Sequence, residues 1–425
     1  MSQDPPSTSG IKVLLQTDDF DGRLAQRHRR GRVWSVIFKV STIVGLVVLA
    51  LLMMNIINDA FGYVAFEAKV DPHSLAVDGI ELEDLEREQL VQVLSENVSA
   101  GLFRRFESDQ PFAERTRDNV YALIQQWVIK PEVVQSWSLY QSIFQAAQIR
   151  QTSAQEYPGA YLAFHNWFSL QFITRPQEAE VLRAGVRTAI FGSLWTIFIT
   201  ILFAFPVGVS AAVYLEEYAS DTWMNRLIQT NINNLAGVPS IIYGLLGLAI
   251  FVRALVSITS GTFLGVSDPT TANGRTVLSA GLTLGLLVLP MVIINAQETI
   301  RAVPNSLRQA SYGLGATRWQ TIWHHVLPGA LPGILTGTIL AVSRAIGETA
   351  PLVVVGASTY INVDPNGPFA KFTTLPIQIY QWTSRPQDEF RSLAAAAIIV
   401  LLILLLSLNA AAILLRNRYS RENLR

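Results

Sequence analysis

Residues 309–351 read QASYGLGATRWQTIWHHVLPGALPGILTGTILAVSRAIGETAP. A polar, glycine-broken loop leads through Pro328 into an apolar run of membrane length. That run carries an arginine, Arg344, and a glutamate, Glu348, within its apolar body. The first half has the character of a surface made for a partner. The second half has the character of a place where a charged solute or partner is met inside a membrane.

The composition agrees with a membrane protein. Of 425 residues, 50% are hydrophobic and only 15% charged, against about 25% charged in a globular domain. Mean hydropathy is +0.32, and the charges are clustered between long apolar runs. Formal net charge is zero, so nothing in it points to nucleic acid. The absence of cysteine excludes disulfides, thiolate metal sites and cysteine nucleophiles. The five histidines, His28, His73, His165, His324 and His325, form no spaced metal-ligand set with carboxylates.

A membrane helix needs roughly 20 apolar residues. Six runs qualify: 40–58, 188–215, 227–252, 276–297, a fifth from about 327 to 357 interrupted by Arg344 and Glu348, and 392–415. No small-residue cleavage site follows the first, so it reads as a retained helix. Arginines 23, 27, 29, 30 and 32 precede the first run, and arginines 416, 418, 421 and 425 follow the last. The positive-inside rule puts both ends in the cytoplasm, and six spans satisfy that parity. Arg301, Arg308 and Arg318 put the fourth connection on the same side.

These limits divide the chain into a basic tail (1–33), a first span (34–58), an extracytoplasmic insert (59–180), a transmembrane body (181–416) whose loop covers about 298–328, and a short tail (417–425). The insert is acidic and holds helix-like stretches. Over 83–106, Leu85, Leu90, Val93, Leu94, Val98, Leu102 and Phe106 recur near a 3.6-residue period. A second such stretch runs from 112 to about 150. The insert is therefore expected to be mostly helical, and its apolar content argues against disorder. Residues 1–10, rich in Ser and Pro, are expected to be disordered.

In the loop, Pro304-Asn305-Ser306 is a plausible helix start, with Asn305 or Ser306 as the cap. Two helical turns fit 307–314, and Gly315 offers a position for positive φ. A second short helix fits 316–326, with Trp319, Ile322, Trp323 and Val326 on one apolar face. Pro328 and Pro332 fall in the first turn or so of the fifth span, where proline does least harm. Such a hairpin either docks onto a cytoplasmic protein or lies on its own helices and the lipid surface.

Beyond it, Gly329, Gly333, Gly337, Ala341 and Ala345 repeat every four residues, a ridge along which another helix can approach closely. An arginine deep in a bilayer costs at least ~2.5–3.5 kcal/mol, so Arg344 must face the bundle, a polar cavity or a second subunit. Glu348 lies four residues on. The two form either a structural ion pair or an oxyanion site, the guanidinium fork binding and Glu348 orienting it.

Residues 309–328 resemble the EAA loop of ABC-importer permeases: Glu-Ala-Ala, three residues, Gly, nine residues, Ile, one residue, Leu-Pro. Ala310, Gly315, Leu327 and Pro328 match in register; Gln309 stands for Glu, Ser311 for Ala and His325 for Ile. The resemblance implies that this loop forms a coupling helix seated in a groove of an ATPase subunit. Residues 331–352, with SRAIGETAP, resemble the phosphate ABC-transporter permeases of the PstA type. YLEEY (214–218) and NLAGVPSIIYGLLGL (234–248) are similar to the same family, and the likeness runs from about 185 to the C-terminus. The insert departs from it, since family members are commonly shorter there.

What the resemblance implies is an all-α polytopic membrane protein with six transmembrane helices, the type I ABC-importer permease fold and a mostly helical extracytoplasmic insert. It would sit in the bacterial inner membrane as the permease of a phosphate importer. Its partners would be a second, PstC-like permease, a PstB-like ATPase dimer, an extracytoplasmic PstS-like binding protein, and lipid. No GxxxxGK[ST] occurs, so this chain is expected to be non-catalytic and without a cofactor, with ATP and Mg bound by the ATPase. Arg344 and Glu348 are the expected pathway residues, with Ser240 and Thr349 weaker candidates. Gly237-Val238-Pro239-Ser240 breaks its span, either lining a pathway or kinking for packing. Glu216 and Glu217 read as surface charge. Rival readings are an importer of another oxyanion such as molybdate or sulfate, a membrane sensor or scaffold, and a stand-alone secondary transporter.

Overall fold

The structure, a computed structural model, describes residues 17–422 except 78, 266–270, 272 and 358–359, with side chains described from 27 to 418. The expectation for 1–10 and the last tail residues, 423–425, lie outside the described residues. The chain divides into two compact units, residues 1–56 and 57–425.

The first unit is helix α1 (Thr17–Ala60), which runs on past its end. From Val33 onward its side chains are apolar and largely exposed, as suits a helix whose surroundings are lipid.

The second unit opens with the insert. Strand β1 (Phe61–Ala68) carries three aromatic residues and a valine among eight, residue types that suit a pleated strand. Helices α2 (Arg87–Asn97), α3 (Ala100–Asp109) and α4 (Arg117–Ile124) lead to β2 (Pro131–Ser136). Helices α5 (Leu139–Phe144) and α6 (Ala146–Glu156) lead to β3 (Tyr161–Asn166), and α7 (Leu170–Thr174) closes the insert. The three strands form an antiparallel sheet in the order β2-β1-β3. Helical residues outnumber strand residues, but the insert also contains this sheet, which helical periodicity could not reveal. The stretch 83–106 is two helices, broken where Ser99 caps α3 through Leu102 N–H. Of its periodic residues, Leu85, Leu90, Val93, Leu94 and Phe106 are buried together. The stretch after 112 also departs from one helical run, because it contains β2.

The membrane body follows: α8 (Arg187–Val213), α9 (Trp223–Ala236), α10 (Ser240–Gly247), α11 (Val256–Thr259), α12 (Val277–Ala302), α13 (Asn305–Gly313), α14 (Arg318–Thr321), α15 (Leu327–Gly347), α16 (Ala350–Val355), α17 (Leu375–Thr383) and α18 (Asp388–Glu422). Among the described residues, five helical segments are long and apolar enough to cross a membrane. The sixth candidate, the 227–252 run, is not one straight span. Its halves meet at 108°, because Pro239 cannot donate to a helix and holds Val238 out of the helical region.

Helix α12 is the centre of the body, buried between α8 and α15. The expected small-residue ridge of α15 is the reason. An ideal Cβ on Gly333 would lie 2.3 Å from Thr299 Cγ2, and one on Gly337 2.5 Å from Asn295 Cβ. Ala341 and Ala345 continue the seam, fully buried. The insert is joined to the body by shared core: Val64, Phe66, Trp167 and Phe172 pack with Trp382 of α17 and Leu393 of α18.

Gly337→Leu should therefore overpack the α12–α15 seam, at a cost of about 1–3 kcal/mol. The expected outcome is a lowered unfolding midpoint in detergent, while Gly101→Leu, with nothing within 4 Å, leaves it within experimental scatter.

Candidate functional site: a pinned loop and a broken, charged span

The loop starts at Pro304, which is the N-cap of α13; neither Asn305 nor Ser306 caps it by a side-chain hydrogen bond. Proline serves because the N-terminal N–H it lacks would be unpaired in any case. Gln309 and Ala310 lie exposed on α13. The turn is made at Gly315, φ +83°, a left-handed conformation that a Cβ would strain. Thr317 then caps α14, accepting from Gln320 N–H while Gln320 Oε1 accepts from Thr317 N–H. The two arms are tied by Ser311 Oγ and Thr321 Oγ1, 2.9 Å apart and both buried.

The second arm does not end before the membrane. It continues through a π-helical turn, Ile322–Val326, into α15, so residues 318–347 form one 30-residue helical segment. Pro328 thus lies well inside that segment rather than at its start. It has no N–H for the carbonyl of His324, and the wider π turn just before it accommodates the mismatch. Leu327 and Pro328 are half-buried there.

The four apolar residues expected on one face are split between two. Ile322 and Val326 are fully buried against Ala212, Ile300 and Ala330. Trp319 and Trp323 are 56% exposed and stacked on each other at 5.5 Å. Leu314, in the turn between the two arms, is 90% exposed as well.

Glu216 and Glu217 are not free surface charges. They sit on the π-helical turn Tyr214–Tyr218 that ends α8. Glu217 Oε1 accepts from Arg308 Nη2 at 2.8 Å and Nε at 3.1 Å, with the two side chains only 7% and 14% exposed. Arg308 also donates to the carbonyls of Val303 and Ile300. Glu216 pairs with the exposed Arg301, and Arg318 lies over the Tyr218 ring. Every residue of this grip was visible in the sequence. A carboxylate pair at a span's end and an arginine some 90 positions later carry no spacing rule that joins them, so only the fold does.

At the far end, α15 stops at Gly347, and Glu348 has extended backbone as its C-cap. Glu348 is therefore outside the helix that was expected to run to about 357. The chain turns there and resumes as α16. The pair still forms: Arg344 Nε lies 3.3 Å from Glu348 Oε1, and Nη1 is 3.4 Å from Met291 Sδ on α12. Arg344 is 45% exposed, Glu348 17%. A single marginal carboxylate contact and a soft sulfur leave N–H donors of the guanidinium fork available to an oxyanion.

Ser240 opens α10 and Thr349 precedes α16. These two short helices pack directly, an ideal Cβ on Gly244 falling 2.7 Å from Pro351 Cα. The four candidates therefore come from two neighbouring breaks in spans. Among the described residues, no hydrogen bond or ion pair joins Ser240 or Thr349 to Arg344.

Comparison with known proteins bears on this arrangement. The family described as "Binding-protein-dependent transport system inner membrane component" matches residues 204–421, just over half of the chain. This chain belongs to that family. The match covers the loop, its grip on the end of α8, both broken spans and α18. Among relatives of this membrane component, the probable ABC transporter permease protein YqgI of Bacillus subtilis is 32% identical over half of this chain and 67% of its own length. The phosphate transport system permease protein PstA 1 of Mycobacterium tuberculosis is 36% identical over 49% of this chain and 62% of its own. PstC of Xylella fastidiosa is 34% identical over 42% and 58%. The chain thus spans about two thirds or less of the length of these curated relatives. Membership of the family puts this chain among the inner-membrane components of binding-protein-dependent transport systems.

Arg308→Gln should leave Glu217 buried without its partner, at a cost on the order of 3 kcal/mol. The loop should then be cut faster by protease at low enzyme concentration. Arg301→Gln, at an exposed pair, should change stability by less than about 1 kcal/mol and leave the cleavage rate unaltered.

Proposed function

We propose that this chain is a permease subunit of an ATP-driven importer of inorganic phosphate. It forms the path with a second, PstC-like permease. ATP and Mg are held by a PstB-like ATPase dimer, and a PstS-like extracytoplasmic protein delivers the anion. Both termini and the 298–328 loop face the cytoplasm, as the arginine distribution favours.

The observation that carries this reading is the mechanical continuity of one element. The exposed Trp319–Trp323 stack and the half-exposed Arg344 stand on the same 30-residue segment. In this reading ATP binding draws the ATPase subunits together, and Gln309, Ala310, Gly315, Leu327 and Pro328 form the loop that takes up that movement. The Glu217–Arg308 pair keeps the loop from moving independently of α8, so displacement passes into α15 and shifts its charged end. Arg344 contacts the anion or gates its path, and Glu348 holds the guanidinium when no anion is present. Ser240 and Thr349 supply hydroxyls at the neighbouring breaks. The relatives named for phosphate transport support phosphate as the oxyanion.

Arg344→Gln removes a charge-assisted, potentially bidentate contact, and uptake of labelled phosphate should fall about tenfold or more in cells lacking other phosphate importers. Uptake at the normal rate would remove Arg344 from the pathway. In the assembled complex, phosphate should stimulate ATP hydrolysis where molybdate and sulfate do not. Stimulation by one of those anions instead would reassign the substrate. Gly315→Val, which strains the turn, should lower uptake while the complex still assembles.

A further inference from the structure

Helix α17 and the residues that lead into it carry a row of buried polar groups with no hydrogen-bond partner among the described residues. Thr374, Gln378 and Trp382 are four residues apart and share one face. All three are buried: Thr374 is 3% exposed, Gln378 0% and Trp382 1%. Thr374 Oγ1, both amide atoms of Gln378 and Trp382 Nε1 have no hydrogen-bond partner, and neither does Oγ1 of the adjacent, fully buried Thr373. A helix face that leaves five polar atoms unmatched in a dry core would be strongly unfavourable, so such groups in folded proteins are met by something.

We infer that the Thr374–Gln378–Trp382 face of α17 binds a small cluster of internal waters at the joint between the insert and the membrane helices. The chemistry selects water. The row presents both kinds of group: an indole N–H and an amide NH2 that donate, an amide oxygen that accepts, and two hydroxyls that do either. A cation would be turned away by the N–H groups. An anion would find no charged residue on α17 itself, and Arg183 and Arg187, on the segment leading into α8, are already engaged by Glu178, Glu180 and Asp364. Water donates and accepts, and two or three such partners suffice to hold each molecule.

The place matters as much as the chemistry. Trp382 belongs to the core that Val64, Phe66 and Phe172 of the insert share with Ala189 of α8 and Leu393 of α18. The backbone just before α17 is fixed on α8: Leu375 N–H donates to Ser193 Oγ at 2.9 Å, and an ideal Cβ on Gly192 would fall on the Thr373 carbonyl. The helix is thus held at its start. Waters here would tie insert and bundle through exchangeable hydrogen bonds in addition to apolar packing.

Two measurements on the intact transport complex test this. A density map fine enough to show ordered solvent should contain water within hydrogen-bond distance of Gln378 Nε2 and Trp382 Nε1. Continuous absence of density there overturns the inference, and density for an ion overturns the choice of water. Separately, Gln378→Leu and Thr374→Val, which keep side-chain size nearly unchanged, should each lower the unfolding midpoint by about 2–4 °C, because each strands the waters' remaining partners. The double variant should fall by less than the sum. If the face is dry, each substitution removes an unmet polar group and the midpoint rises, which overturns the proposal.

Discussion

Close approach of helix backbones at α12 is the constraint on which the membrane body rests. In lipid there is little hydrophobic drive between apolar helices, so contact must come from packing and from hydrogen bonds. Gly333 and Gly337 let α15 lie directly on Thr299 and Asn295 of α12, and Gly281 and Gly285 let α8 lie on the other side through Ile199 and Phe203. With its backbone wedged between two neighbours, α12 is the most buried of the span candidates. The elements with chemical character hang from that trio: the loop leaves the end of α12, and the charged end of α15 reaches back to Met291 on it.

A second consequence is a division between rigid and interrupted elements. The segment from Arg318 to Gly347 is continuous, and its one irregularity is the π turn next to Pro328. The breaks fall elsewhere, at Gly237–Pro239 and at Glu348–Thr349. Backbone groups freed at a break within a membrane protein must be covered by protein or by a polar cavity. The direct packing of α10 on α16 provides protein cover, and Arg344 stands beside it. Under the proposed function, this continuous segment ending beside two interrupted helices is where force would be delivered to a path.

The loop's charges illustrate how local reading fails across distance. Glu216 and Glu217 look like ordinary interfacial charges when only their neighbours in sequence are considered. Arg308 looks like one more cytoplasmic arginine. Brought together with little solvent access, Glu217 and Arg308 become a contact whose loss leaves a buried charge. The tryptophans show the reverse case. Trp319 and Trp323 have the spacing of a core face with Ile322 and Val326, yet the π turn and the burial of Ile322 place them on the open side.

The sequence by itself determined the class of the chain, because charge-poor runs of sufficient length admit few outcomes in a bilayer. It also determined the left-handed turn at Gly315 and the close seam of α15, since glycine at those positions answers a backbone requirement. The kinship of the loop and of the SRAIGETAP segment was legible from ordered motifs. The tertiary structure decided what depends on partners far along the chain: the three-stranded sheet of the insert, the Glu217–Arg308 pin, the outward turn of the tryptophans, and the end of α15 at Gly347. Strand pairing and buried ion pairs are long-range contacts with no fixed spacing, so neither periodicity nor composition can announce them.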